Sequence, residues 1–248
     1  FMLLAIDIGN SATKFGVFDG ERLSKRFTAP TIRGKSANEI WESIEEEVDF
    51  QVDLVVISSV VVELIDAFTE LSENHFNTTP LIVDASFDFG LKIAYDPPSN
   101  AGTDRLVAAS AAVRKYGKPC VVCSFGTATT VDAVNSKGEF VGGAIAPGIN
   151  TLGEALFLKT SKLPRVELAK PAKAIGDSTG ECIQSGIYYG YVGLVRELVA
   201  RIGAELGEKA TVVATGGFVN LIAGEVDFVD HADDSLILEG LCYLATAR

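Results

Sequence analysis

One pattern occurs twice in this chain and restricts its fold more than any other feature: three short strands in succession, the first two joined by a tight glycine turn. Leu3 to Ile8, Thr13 to Phe18 and Arg22 to Phe27 read as strands punctuated by Gly9-Asn10 and Asp19-Gly20. Cys120 to Phe125, Thr129 to Val134 and Glu139 to Ile145 repeat the meander, with Gly126-Thr127 at the first turn and Ser136-Lys137-Gly138 at the second. The interval from Gly9 to Gly20 nearly equals that from Gly126 to Gly138, so two copies of one fold are the simplest explanation.

The segments after each meander point to an α/β protein. Ile40, Trp41, Ile44 and Val48 recur at helical spacing, predicting a helix over Ala37 to Val48, then a buried strand at Leu54 to Ile57. A helix from Val62 to Leu71 and a strand at Leu81 to Val83 complete a βββαβαβ series, a mixed sheet flanked by helices. Asp96 to Gly102 reads as a stiff non-helical loop, and Asp104 to Tyr116 as an alanine-rich helix closed by Gly117. The second copy starts near Pro119, and Gly142 to Gly148 ends its meander. Beyond it come a long helix from Thr179 to Leu206 and a strand at Ala210 to Ala214, with Thr215-Gly216-Gly217 at the carboxyl end of that strand. The expected domains are 1–117 and 118–248, with the last helix, Leu236 to Ala245, packing back on the first.

The 248 residues, 48% hydrophobic, are enough for two such cores. No stretch has the apolar length of a membrane span, and no basic segment precedes a hydrophobic leader, so the protein is expected in the cytoplasm. Met2 reads as the natural start, with Phe1 an addition ahead of it. A formal net charge of -12 without a basic cluster argues against a nucleic-acid partner. An acidic protein still binds a nucleotide through backbone donors, a single lysine and a divalent cation.

Cys120 and Cys123 form a C-x-x-C inside an apolar strand, where residues three apart face opposite ways, so buried core thiols are expected. His75 and His231 read as surface residues in separate polar loops.

Chemistry concentrates at the two first turns. Gly9 and Gly126 lack a Cβ and let backbone N–H groups approach an anion, while Asn10, Ser11, Thr127 and Thr129 offer side-chain hydrogen bonds, an arrangement suited to phosphate. Asp7 is placed to hold a hydrated magnesium ion beside it. Lys14 either reaches a phosphate or is a surface lysine. Tyr188, Tyr189, Tyr191 and Val195 form a helical stripe that reads as core or dimer packing.

Asp-x-Gly-Asn-Ser at 7 to 11, Gly-Thr-Asp-Arg at 102 to 105, Gly-Thr-Ala-x-Thr at 126 to 130, Gly-Gly-Ala-Ile-Ala-Pro-Gly at 142 to 148 and Gln-Ser-Gly-Ile-Tyr-Tyr-Gly-Tyr at 184 to 191 resemble type III pantothenate kinases. The order and spacing agree over essentially the whole chain, including Ser58-Ser59-Val60 and Leu-x-Leu-Glu-Gly-Leu at 236 to 241. The resemblance implies two ribonuclease-H-like domains of the actin-like ATPase type, with mixed sheets flanked by helices and an ATP cleft between them. It also implies a homodimer, and phosphorylation of pantothenate to 4′-phosphopantothenate using ATP, Mg2+ and a monovalent cation, K+ or NH4+.

By the same resemblance Asp7, Ile8, Gly9, Asn10, Ser11, Ala12, Thr13, Lys14 and Thr127 bind ATP. Tyr95, Gly102, Thr103, Asp104, Arg105 and Thr179 bind pantothenate, Thr179 from across the dimer, and Asp104 is the general base. A first-turn carboxylate is favoured by the helix dipole, although alone Asp104 reads equally well as a helix-start acid with Thr103 as cap. Arg105 offers a paired-donor fork to a carboxylate or phosphoryl group; a solvated helix arginine is the alternative.

One departure stands out. Where the family has the aspartate that holds the monovalent cation, two residues before the second hairpin glycine, this chain has Ser124. The duplication marks the same position, since Asp7 stands two before Gly9 and Ser124 two before Gly126. Either the enzyme has an altered cation dependence, with Asp132 as a partial substitute, or the chain is a degenerate relative that binds nucleotide or pantothenate in a regulatory role. A sugar kinase of the same fold is a third, weaker option.

Overall fold

The computed structural model describes residues 1–247. The strands are β1 (Met2–Ile8), β2 (Ala12–Asp19), β3 (Arg22–Pro30), β4 (Leu54–Ser59), β5 (Leu81–Val83), β6 (Lys92–Ile93), β7 (Cys120–Phe125), β8 (Ala128–Val134), β9 (Glu139–Pro147), β10 (Thr211–Thr215) and β11 (His231–Ala232). The helices are α1 (Ala37–Glu42), α2 (Ile65–Phe76), α3 (Thr103–Tyr116), α4 (Ile149–Lys159), α5 (Thr179–Leu206), α6 (Val219–Ile222) and α7 (Leu236–Thr246). They form two compact units: one of 1–91, 95–111 and the chain from Leu236 onward, the other of 92–94 and 112–235. The division falls inside α3.

The first unit is a five-stranded sheet ordered β3-β2-β1-β4-β5, antiparallel from β1 to β3 and parallel from β1 to β5. Because side chains alternate across a strand, Leu4, Ile6, Ile8, Phe15 and Val17 line one face, where they meet Ile40 and Ile44 of the α1 segment and Phe68 and Leu71 of α2. Each such side chain fully removed from water stabilises the fold by about 1.5–3 kcal/mol. Leu3, Ala5 and Gly16 line the other face, covered by α7, with Gly16 close against Leu238.

Local chemistry explains where the helices stop. A capping box starts α1: the Glu39 carboxylate accepts from the Ser36 N–H at 2.9 Å, and the Ser36 hydroxyl accepts from the Glu39 N–H. The helix ends at Glu42 instead of continuing to Val48, because the Ser43 hydroxyl donates to the Ile40 carbonyl at 2.6 Å and Glu45–Glu47 turns separately as a 3-10 helix. Val62–Leu64 is likewise a 3-10 turn, and α2 runs past the expected end to Phe76, where Asn77 closes it with φ 52°. The 96–102 loop contains a further 3-10 turn at Pro98–Asn100.

The second unit repeats the order as β11-β10-β7-β8-β9, extended by β6 on the β9 edge. Strand for strand, β7, β8, β9, β10 and β11 stand where β1, β2, β3, β4 and β5 stand in the first. Val121, Cys123, Phe125, Val131, Val212 and Ala214 pack against Ile187, Tyr191 and Val195 of α5, which Ser178 caps and Gly207 closes at φ 68°. The tyrosine stripe is therefore divided: Tyr188 and Tyr191 are buried in this core, whereas Tyr189 is 41% exposed. Cys120 and Cys123 are buried and unpaired, and burial pushes each thiol up to about 12. Both histidines are exposed but lie in regular elements instead of loops: His75 in α2, stacked on Trp41 at 4.1 Å, and His231 in β11, stacked on Tyr116 at 4.4 Å. Among the described residues, no helix is long and apolar enough to cross a membrane.

Candidate active site

In the first unit, the Gly9 N–H donates to the Ala12 carbonyl at 3.1 Å, which leaves Asn10 and Ser11 as an exposed two-residue tip. A Cβ on Gly9 would stand 2.9 Å from that carbonyl, so only glycine closes this turn without displacing it. Asn10 Oδ1 accepts from Arg33 Nη2 at 3.1 Å, and Arg33 Nη1 reaches Glu63 at 2.6 Å. Arg33 was not apparent from the sequence as a neighbour of the turn. Ile8 and Thr13 point to the α1 and α2 side, where Ile8 is fully buried and the Thr13 hydroxyl is 2.8 Å from that of Thr31. Of the ATP set, these two offer the tip only backbone.

Asp7 and Lys14 are cross-strand partners on the opposite face, with Nζ 3.5 Å from Oδ2. Asp7 is only 6% exposed. Burial holds its carboxyl above the ordinary carboxylate range; Lys14 opposes this shift and Asp104 adds to it. Asp7 and Asp104 thus share one electrostatic environment within this unit. Ser58 of β4 lies in register with Asp7 on the same face, fully buried. In the sequence Ser58 carried no role beyond its place in a motif.

Asp104 is half-buried in the first turn of α3, whose start is set by the Gly102 carbonyl accepting from the Leu106 N–H at 3.1 Å. The capping position is therefore Gly102, with Thr103 the first helical residue. Oδ1 of Asp104 lies 2.8 Å from where a Cβ on Gly102 would be, so the glycine leaves room for the carboxylate. Arg105 is no solvated helix arginine: it is 7% exposed, with its guanidinium 5.4 Å from the centre of the half-buried Tyr95 ring.

In the second unit the turn is one residue tighter. The Gly126 N–H donates to the Ala128 carbonyl at 3.1 Å, and Thr127 alone forms the exposed tip. Its carbonyl accepts from the Gly148 N–H at 3.0 Å and the Thr151 hydroxyl at 2.7 Å. A Cβ on Gly148 would collide with the Gly126 carbonyl, and Gly216, at φ 99°, lies against the Phe125 backbone. Thr129 is not a phosphate donor: it is fully buried, with its hydroxyl 2.6 Å from that of Tyr191 on the core side. Ser124 is half-buried, in register with Thr130 of β8 and Thr215 of β10. Asp132 shares this face one pair deeper in the ladder, 2% exposed. Thr179 is the exposed first residue of α5, beside the Ser178 cap, whose hydroxyl accepts from the Glu181 N–H at 3.3 Å.

The same architecture occurs in solved structures. A conserved putative Baf family transcriptional activator from Campylobacter jejuni aligns with a TM-score of 0.62 at 20% identity, covering 98% of this chain and 98% of that one. The activator of 2-hydroxyisocaproyl-CoA dehydratase from Clostridium difficile, with bound ADPNP, aligns at 0.57 and 13% identity, covering 99% and 93%. Paired sheets of this order, each turning at a glycine hairpin, are the mark of the actin-like ATPase fold class.

The family model for type III pantothenate kinase matches residues 3–201. Curated type III pantothenate kinases from Dehalococcoides mccartyi strain CBDB1 and Moorella thermoacetica are 44% and 43% identical, covering 98% and 97% of this chain and 94% and 97% of theirs. The chain belongs to the type III pantothenate kinase family.

Proposed function

We propose that the chain transfers the γ-phosphoryl group of ATP to the hydroxyl of pantothenate, giving 4′-phosphopantothenate, the first step toward coenzyme A. The full-length similarity to curated kinases carries this reading, and nothing found favours the regulatory alternative. Asn10 to Lys14 take the ATP phosphates, mainly through backbone N–H groups at the first turn; in the second unit Thr127 is the expected ATP contact. Asp104 accepts the proton of the attacking hydroxyl; phosphoryl transfer through a loose transition state asks mainly that this hydroxyl be aligned. Arg105 and Tyr95, in cation–π contact, bind the substrate carboxylate with Gly102 and Thr103, and Thr179 completes the set from a partner subunit.

The residues fit a magnesium ion that arrives with ATP. Among the described residues no group of three or more His, Cys, Asp or Glu side chains converges, so Asp7 and the phosphates would hold a largely hydrated ion, the usual preference of Mg2+. When bound, the ion neutralises charge on the transferring phosphates. The residues fit a monovalent cation poorly: Ser124, Thr130 and Thr215 offer neutral hydroxyls where the family has a carboxylate. We place the reaction in the cytoplasm, consistent with four cysteines that form no disulfide. We also infer a homodimer, supported by Leu156, Phe157 and Leu158 of α4, which are 39%, 37% and 70% exposed.

Pantothenate-dependent ADP release with Mg2+ and ATP, with the phosphorylated product identified by mass, tests the assignment. Release is expected without K+ or NH4+. No release under any cation condition would leave the degenerate alternative standing.

A further inference from the structure

Among the described residues, the Ser58 hydroxyl is the one buried side-chain oxygen or nitrogen without a hydrogen-bond partner. Its residue is fully excluded from solvent, a setting in which alanine would pack as well without stranding a polar group. The adjacent serine behaves differently. Ser59 Oγ donates to the Val61 carbonyl at 2.9 Å and accepts from the Val61 N–H at 3.0 Å, so it shapes the turn after β4. Ser58 does nothing comparable for the fold, and orphaned groups of this kind accumulate where a ligand completes them.

Register says which ligand. Parallel pairing sets Ser58 beside Asp7, on the face that also carries Lys14. The second unit repeats the arrangement at Thr215 and Ser124, so both copies put a hydroxyl on the neighbouring parallel strand next to the hairpin position that is acidic in the first copy. A hydroxyl has lone pairs to accept from water and a proton to give to a carboxylate. A hydrated divalent ion at Asp7 would present water protons that need acceptors.

We propose that Ser58 is a positioning residue for the divalent ion, its hydroxyl completed by a hydrogen bond with an ion-bound water beside the Asp7 carboxylate. This rests on the ATP reading above, and it assigns a function to β4 that the motifs of the two hairpins do not include. Neighbours that support a metal's ligands without touching the metal commonly contribute 10- to 100-fold to its affinity.

Calorimetric titration of the nonhydrolysable nucleotide ADPNP across a range of Mg2+ concentrations, for wild type, Ser58→Ala and Ser58→Cys, tests it, alongside thermal melting without ligand. The expected result has three parts. The unliganded Ser58→Ala protein melts at or above the wild-type temperature, its Mg2+ requirement for nucleotide binding rises about 10-fold, and its nucleotide binding in EDTA is unchanged. Ser58→Cys, with a weak S–H donor, should fall between the two. Superimposable Mg2+ curves overturn the inference alone, as does an unliganded Ser58→Ala protein that melts well below wild type, since the hydroxyl would then brace the fold. A wild-type protein with no Mg2+-dependent nucleotide binding overturns the ATP reading and this inference with it.

Discussion

The two hairpin ends share a backbone and differ in charge. At the first, Asp7 faces Lys14 across the ladder with Ser58 beside it; at the second, Ser124 faces Thr130 with Thr215 beside it. The first has a two-residue tip and the second a single threonine tied down by Gly148 and Thr151. The fold therefore requires the strand order and the glycine, and it does not require the carboxylate. Burial makes ionised Asp7 costly, so its persistence beside an orphaned hydroxyl points to chemistry and not to stability.

The largest effect that would sharpen this contrast is expected at Asp104→Asn, which should lower kcat by roughly 10²- to 10⁴-fold while nucleotide binding, measured by calorimetry, persists. Loss of binding instead would give the charge on α3 a different role. Next comes Asp7→Asn, for which Mg2+-dependent nucleotide affinity should fall by about 10- to 100-fold. Its stability should move the other way. With its pKa raised above 3.8, Asp7 holds its proton more tightly folded than unfolded, so its contribution to stability declines as pH rises through and above that range. Asp7→Asn should thus melt higher than the parent at neutral pH, with the gap closing toward pH 4, as scanning calorimetry at several pH values would reveal.

Restoring symmetry with Ser124→Asp should create a response to K+ of about 10-fold in rate, because ligand charge tunes cation affinity; an unresponsive variant would break the equivalence of the two turns. The smallest functional effect is expected at Thr129→Val. This change strands the Tyr191 hydroxyl, costing about 1–3 kcal/mol in denaturant unfolding, with KM for ATP unchanged.

Much of this was legible in the sequence. The duplicated meander, α5 from Thr179 to Leu206 and the glycine turns carry strong local signals: alternation, a capping serine, a closing glycine. The two-residue strands β6 and β11 are too short for any period to register, and α4 follows a glycine without a side-chain cap. Thr129 illustrates the harder limit. Threonine at a hairpin glycine reads as a donor, and only strand direction shows that its hydroxyl faces Tyr191. Ser58 and Arg33 were missed because their significance lies in neighbours distant in sequence.

Helix α7 joins strands far from it in sequence in a single core. Gly240 lets α7 approach α3 so closely that a Cβ there would stand 3.0 Å from the Val107 carbonyl, while α7 also covers β1, β2 and β4. During synthesis, then, β1 and β2 are made long before the helix that covers them, and one face of their sheet stays open until α7 emerges.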